Sequence, residues 1–423
     1  MTKVVCCPAE QLPTVLAPGV LYFTLFSSSD RPNVKHIGLK IQDAIRTAGL
    51  SPSVAAWDFA TFAFAVDAAD KAVLRNKSAD GWTRMIDLTV FLVDPAPWSQ
   101  VKDRLEQTLR FLSGDFWTLT FETGNHRIPV SRRTLVSVAD CVCLLSGGAD
   151  SLVGAIDLTS NGRMPLFVSH IARGSAPVQR QFAQQLGATE DRHFQWSFAS
   201  EHKGKAEQST RARSIVFFAF AALAASSIST ETNNPVEVVV PENGFISLNV
   251  PLGPGRIGSL STKTTHPVYM SGIQEVWDTL RIGARLTFPY RHKTKGELFD
   301  ECANPMQLQE LLRFSVSCGK YQRHGLKHCG ECVPCMIRRA AFLRASIEDT
   351  TTNQYVRQEL QHSKAKDVAA AAAACIRFET QGVHRFIGGA LSFASEHERT
   401  IYEGVVARGM QELKALLSLH GVL

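Results

Sequence analysis

Ser146-Gly147-Gly148-Ala149-Asp150-Ser151 is the stretch whose residue types and spacing could do chemistry most directly. It follows a short apolar run, Val142 to Leu145, that reads as a buried strand. It precedes Leu152 to Leu158, which reads as the opening of a helix. A strand, a turn of small residues and a helix aim unpaired backbone N–H groups at an anion, with help from the helix dipole. Gly147 and Gly148 allow close backbone approach, since a side chain there would block it. The hydroxyls of Ser146 and Ser151 add donors. Asp150 is an odd residue for an anion cradle unless it holds Mg²⁺ or caps the helix. The turn lacks the Gly-Lys-Ser/Thr ending of a Walker loop. Read without a ligand, the same residues are a capped helix start.

A second constellation lies downstream. Cys318, Cys329, Cys332 and Cys335 are separated by ten, two and two residues. Two consecutive Cys-x-x-Cys steps, with Gly330 easing the turn, suit tetrahedral coordination of Zn²⁺ by four thiolates. Such a site has no open position, so its role is structural. His324 and His328 lie inside the loop as rival ligands, and buried or reactive thiols are the alternative reading. Cys6, Cys7, Cys141, Cys143, Cys302 and Cys375 are scattered, as small core residues are.

The elements that must position these residues divide into three regions. Residues 1–135 read as an α+β domain. Gly19 to Phe26, Val54 to Val66, Met85 to Val93 and Asp115 to Glu122 read as strands, and Asn33 to Ala48 and Pro97 to Leu112 as helices. A linker is expected near Asn125 to Arg133, and this region carries no catalytic cluster. Residues 136–347 alternate strand and helix. After the loop strand come the strand Leu166 to His170, the helix Pro177 to Leu186, a strand near His193 to Phe198, the helix Thr210 to Ala225 and the strand Val236 to Val240. That alternation predicts an α/β fold, a parallel sheet with helices on both faces and ligand groups at the strand carboxyl ends. One such end carries Pro241-Glu242-Asn243-Gly244. Glu242 could accept hydrogen bonds from a purine-like ring and Asn243 could donate or accept, although Asn-Gly is also a turn signal. Ser261 to His266 is a dense polar loop that could hold substrate or only close a turn. Residues 348–423 read as a helical tail, Ala-rich over Val368 to Cys375 and continuing over Glu396 to Leu419.

The chain of 423 residues is 45% hydrophobic and 20% charged, with a net charge of +6. That charge permits anionic ligands but does not point to nucleic acid. No apolar run approaches the length of a membrane span, and the N-terminus reaches Pro8 too soon for a signal peptide, so a cytoplasmic protein is expected.

The SGGADS loop closely resembles the SGGxDS signature of the N-type ATP pyrophosphatases, the PP-loop enzymes, which cleave ATP to AMP and pyrophosphate. With the downstream cysteines, followed by Arg338 and Arg339, it resembles the QueC family of 7-cyano-7-deazaguanine synthase-like enzymes. These adenylate 7-carboxy-7-deazaguanine and replace the AMP with an amine nitrogen. The resemblance covers residues 138 to 345 in pieces. It implies ATP held by Ser146, Gly147, Gly148, Asp150 and Ser151, with Asp150 positioning Mg²⁺. Arg213, and beside it Arg211, would contact phosphate, and Lys295, in a step like the Thr-Lys-Gly-Glu of PP-loop relatives, would stabilise charge at the α-phosphate. A solvated helix start is the plain alternative for the arginines, and a surface lysine for Lys295. Glu242, Asn243, Thr265 and His266 are the expected substrate contacts.

The chain departs from that family in several places. Its Ala-Arg-Asn helix start is here Ala212-Arg213-Ser214, and its Tyr-Pro-Asp-Cys segment is absent, with Thr265-His266-Pro267-Val268-Tyr269 in its place. The N-terminal domain and helical tail are also foreign to it. In these features the chain looks more like the QueC relatives of Qat anti-phage systems, which are thought to pass the activated deazaguanine to a protein amine. The expected partners are therefore a 7-deazaguanine-type substrate and a protein acceptor, with nucleic acid and membrane not expected. An RNA-modifying PP-loop sulfur transferase would need accessible cysteines. A nucleic-acid binder would use Lys320, Arg323 and Lys327 of the cysteine loop.

Overall fold

The computed structural model describes residues 1–132, 138–171, 174–198, 200, 205–228, 234–253 and 263–423. Arg133 of the expected linker, the expected boundary between residues 135 and 136, and Ser261 and Thr262 of the polar loop lie outside them.

Strand β1 (Thr2–Cys7) is the centre of a first sheet. On one side it is followed by β2 (Leu21–Leu25) and β3 (Val34–Ile37), and on the other by β4 (Met85–Leu92) and β5 (Phe116–Thr123). Every pairing is parallel. The α+β region of the sequence thus has its strands in one parallel sheet, with α1 (Ile41–Thr47), α2 (Val54–Ala72) and α3 (Lys102–Ser113) in the crossovers that parallel strands require.

Two readings need correction here. Val54 to Val66, expected as a strand, is the first part of α2. Its residues from Ala56 to Asp70 are all buried, so the helix has no polar face and the 3.6-residue period is erased. Ser53, whose hydroxyl accepts from the Ala56 N–H at 3.2 Å, is the helix-start signal that remains. Asn33 to Ala48, expected as one helix, splits into β3 and α1. Val34 and Ile37 face the core in either structure, so their spacing does not decide between them.

A second sheet is built in the same order. β6 (Cys141–Leu144) is central, β7 (Pro165–His170) and β8 (His193–Trp196) lie to one side, and β9 (Val236–Val239) and β10 (Ala284–Thr287) to the other. All of these pairings are parallel, as the alternating sequence predicts. The helices are α4 (Ala149–Ser160), α5 (Ala176–Gln185), α6 (Ser214–Ile228), the single turn α7 (Gly244–Ser247) and α8 (Pro267–Thr279).

The two sheets share one apolar core. Helices α2 and α6 pack against each other there, and the Phe64 ring lies 4.5 Å from Phe198 and 5.8 Å from Phe220. At the rim, the fully buried Asp70 of α2 binds the Arg84 guanidinium at 2.5 Å through one oxygen. Its other oxygen accepts from the backbone N–H groups of Arg211 and Ala212 at 2.7 and 2.8 Å. The first sheet's helix thereby fixes where α6 of the second begins.

Five more helices follow: α9 (Lys295–Asp300), α10 (Pro305–Leu312), α11 (Val333–Arg344), α12 (Lys366–Ile387) and α13 (Glu396–Leu419). The expected helical tail is therefore present. Its apolar faces bury Phe245 of α7 and Leu248 at its end, together with Met336 and Ile337 of α11. Among the described residues, no helix is long and apolar enough to cross a membrane.

Candidate functional site

Between β9 and β7, the fully buried β6 delivers the chain to Ser146 at its carboxyl end. Gly147 turns it with φ +85°, a conformation that a side chain would strain. Gly148 is the N-cap of α4, whose first N–H groups have no acceptor within the helix. They border a cavity of 260 Å³ whose other walls include Pro241, Glu242, Lys295 and Ser317. The loop is held firmly. The Ser146 and Ser151 hydroxyls are 3.1 Å apart, and the Ser151 hydroxyl donates to the Gly148 carbonyl at 2.9 Å. From outside, the buried Gln179 amide donates to the Ser146 carbonyl at 3.0 Å, and the Val316 N–H to the Gly147 carbonyl at 2.9 Å.

Asp150 lies in the first turn of α4, where the helix dipole favours a negative charge. One carboxylate oxygen pairs with the Lys295 ammonium, and the other accepts from the Asn243 amide at 2.7 Å. Thr294 and Glu297 form a capping box that starts α9 and so fixes Lys295 as its first residue. Burial alone would raise the Asp150 carboxyl. The Lys295 charge, with hydrogen bonds from Glu242 and Asn243, more than offsets this and holds it below the usual carboxylate range. Glu242 is displaced the other way: burial, then the adjacent Asp150 charge, push it well above its ordinary value. Burial and the Asp150 charge thus favour the neutral form of Glu242, which hydrogen-bonds Asp150 beside the Lys295 ion pair. Carboxylate oxygens at this depth could hold a hard divalent cation such as Mg²⁺.

Glu242 also lines a second cavity, of 480 Å³, together with Thr265. Of the expected substrate contacts, the structure therefore brings Glu242 and Thr265 to one chamber. Asn243 is turned to Asp150, and its side-chain oxygen caps α7 by accepting from the Ile246 N–H at 3.0 Å. His266 caps α8, its Nδ1 accepting from the Val268 N–H at 3.3 Å, and its ring is packed between Phe111 and Phe393. Burial, with Lys263 nearby, lowers it to about 4, so it is neutral. Arg213 is exposed at the start of α6, beside His170 and Asp67 rather than on the wall of the loop cavity.

The four clustered cysteines converge. Their sulfurs all lie within 4.8 Å of one another, and the Cys318–Cys332 and Cys329–Cys335 pairs are each 3.9 Å apart. A tetrahedron with metal–sulfur bonds of ~2.3 Å has edges of about 3.8 Å, so the donor set fits a metal such as zinc. Gly330 makes the turn at φ +88°, where an added Cβ would lie 2.2 Å from the Arg357 carbonyl oxygen. His328 is buried apart from the set and accepts from the Ser317 N–H at 3.2 Å. The buried Arg338 bonds the Leu312 carbonyl at 2.8 Å and the Ser315 hydroxyl at 2.5 Å, tying α11 to the strand of chain that meets Gly147.

Sequence reasoning missed Gln179 and Glu412. Glu412 of α13 accepts from the Thr294 hydroxyl and, at 3.3 Å, from the Gly296 N–H, at the start of the helix that carries Lys295. Neither residue lies in a motif. The polar Gln179 on an otherwise amphipathic helix face is the only local signal for the first, and nothing local marks the second.

No known family model matches the chain, and no solved structure matches it. The chain is similar to the 7-cyano-7-deazaguanine synthase of Methanocaldococcus jannaschii, with 30% identity over 148 residues. The match covers 33% of this chain and 54% of that protein, so the chain spans about half the length of the curated relative it resembles.

Proposed function

We propose that this chain is an ATP-dependent C–N ligase that adenylates the carboxylate of 7-carboxy-7-deazaguanine, releases pyrophosphate, and transfers the acyl group to an amine on a partner protein in anti-phage defence. One observation carries the reading: the first turn of α4, whose N–H groups have no acceptor within the helix, borders a cavity that also holds Asp150, Lys295 and Glu242. Attack of a carboxylate on the α-phosphorus brings two anions together and leaves a third. Positioning and charge neutralisation therefore carry most of the catalysis.

In this reading Ser146, Gly147, Gly148, Asp150 and Ser151 hold the pyrophosphate portion of ATP, with Arg213 reaching phosphate from the start of α6. Lys295 balances charge at the α-phosphate. Asp150 would position Mg²⁺, which neutralises phosphate oxygens when bound. The amine then attacks the acyl carbon, a C–N bond forms, the bond to AMP breaks and the amine's proton leaves to a base. The four cysteines hold a structural Zn²⁺; chelation should release about one zinc per chain and lower the thermal midpoint, while a metal-free protein of unchanged stability would remove the zinc.

Incubation with ATP, the carboxylated base and candidate acceptors tests the proposal. AMP release with a covalent mass gain on a protein supports it, and absence of AMP with every acceptor sinks it. The similarity to a 7-cyano-7-deazaguanine synthase favours a second reading, in which ammonia is the acceptor and the nitrile the product. Sulfur transfer to RNA fits less well: Cys141 and Cys143 are buried in β6, and burial pushes the Cys143 thiol up to about 12.

A further inference from the structure

The 480 Å³ cavity draws its walls from all three regions of the chain: Arg104 of α3, Glu242 and Phe288 of the second sheet's strand ends, and Phe393, Glu398 and Tyr402 of the C-terminal region. Its volume is that of a small-molecule site, roughly 300–1,000 Å³. Phe393 and Tyr402 stand 5.9 Å apart with their rings inclined at 49°, which leaves flat apolar faces beside a few polar groups. Glu398 is one of those groups. Ser395 starts α13, accepting from the Glu398 N–H and donating to its carboxylate oxygen Oε2, both at 3.3 Å, so this side chain is fixed in place. Its other oxygen, Oε1, has no hydrogen-bond partner among the described residues. Arg291, also on the wall, forms no ion pair among the described residues.

We infer that this cavity seats a flat, fused heterocycle bearing the reacting carboxylate, and that Glu398 of the C-terminal helix reads the heterocycle's N–H donor edge. The aromatic walls suit a planar ring. A carboxylate accepts a pair of parallel N–H bonds from an edge such as that formed by a ring N–H and its neighbouring exocyclic amine. Arg291 suits the ring carbonyl beside them. Because Glu242 borders both cavities, an acid seated here presents its carboxyl group at the edge of the loop cavity. The identity of the acid rests on the ligase reading above. The specificity assignment makes α13 part of the substrate site, so the helical tail contributes recognition as well as packing.

The test uses the full chain and calorimetric binding of two acids: 7-carboxy-7-deazaguanine and its analogue without the exocyclic 2-amino group. The wild type should prefer the first by roughly 10- to 100-fold, the worth of one hydrogen bond to a charged group. Glu398→Ala should bring the two affinities to within about threefold, whereas Glu398→Asp should keep part of the preference. Binding of a non-hydrolysable ATP analogue should be the same in all three proteins, which shows that the variants fold. A Glu398→Ala protein that retains the whole preference overturns the inference and leaves the ligase reading standing. A wild type that binds ATP but neither acid overturns the ligase reading, and this inference with it.

Discussion

At the carboxyl end of β6 the chain turns through Ser146, Gly147 and Gly148; at the carboxyl end of β1, the equivalent strand of the other sheet, it meets Pro8. The two sheets have the same strand order, each with its first strand central, its second and third to one side and its fourth and fifth to the other. In such sheets the crevice beyond the first and fourth strands is where ligands bind. In the second sheet that crevice is the loop cavity, with free N–H groups from α4 on one side and Glu242 on the other. In the first sheet it is filled from within. The N–H groups of Val93 and Asp94, after β4, donate at 2.8 and 2.9 Å to the fully buried carboxylate of Asp58 on α2. Pro8 has no N–H to offer. One architecture thus yields a crevice with donors available to an anionic ligand and another whose donors are spent on the fold. The difference lies in a few residues at the strand ends.

The comparison predicts opposite phenotypes for charged residues at the two crevices. Lys295→Ala should lower AMP formation about 10³-fold, equivalent to about 4 kcal/mol of transition-state stabilisation, while the protein stays folded. Adenylate formed at the wild-type rate would retire Lys295 from catalysis. Asp58→Ala leaves two backbone donors unpaired and should cost about 2–4 kcal/mol of stability in denaturant melts, with the remaining folded protein active. If it instead abolished activity without a shift in the melt, the first sheet's crevice would be functional after all.

A smaller effect sits at the join with the tail. Burial raises Glu412 to about 7 from its ordinary 4.5. The folded state therefore binds its proton more tightly than the unfolded one does. The stability this contributes is complete below about pH 4.5 and is lost as pH rises through 7, on the order of 1–3 kcal/mol. Glu412→Gln should flatten that part of the stability–pH profile. An unchanged slope would mean that the buried carboxyl does not titrate there.

Residues that act on near neighbours were legible. The SGGADS turn is a local conformation dictated by glycines and small hydroxyls, and the clustered cysteines follow a spacing set by the geometry of a single metal. Glu242 and Asn243 were marked by following a Val-Val-Val strand. The Thr294-Lys295-Gly296-Glu297 step carries its own capping box, a pattern of four residues that needs no tertiary partner. Helix α2 was hidden because it is sandwiched between its sheet and α6, which removes the polar face that periodicity depends on. His266 makes its hydrogen bond locally, accepting from the Val268 N–H at the start of α8.

By itself, the sequence determined the loop, the cysteine set and the alternation that makes a parallel sheet, because each rests on interactions between residues close in the chain. Only the tertiary structure decided that Asp150, Glu242 and Lys295 share one cavity, that Gln179 and Glu412 brace its parts, and that Arg104 and Tyr402 meet across a second one. Those pairs are separated by many tens of residues, and nothing in a one-dimensional pattern records which strand ends will lie side by side. Strand order sets that, and strand order comes from burying helices such as α2 and α6 against each other.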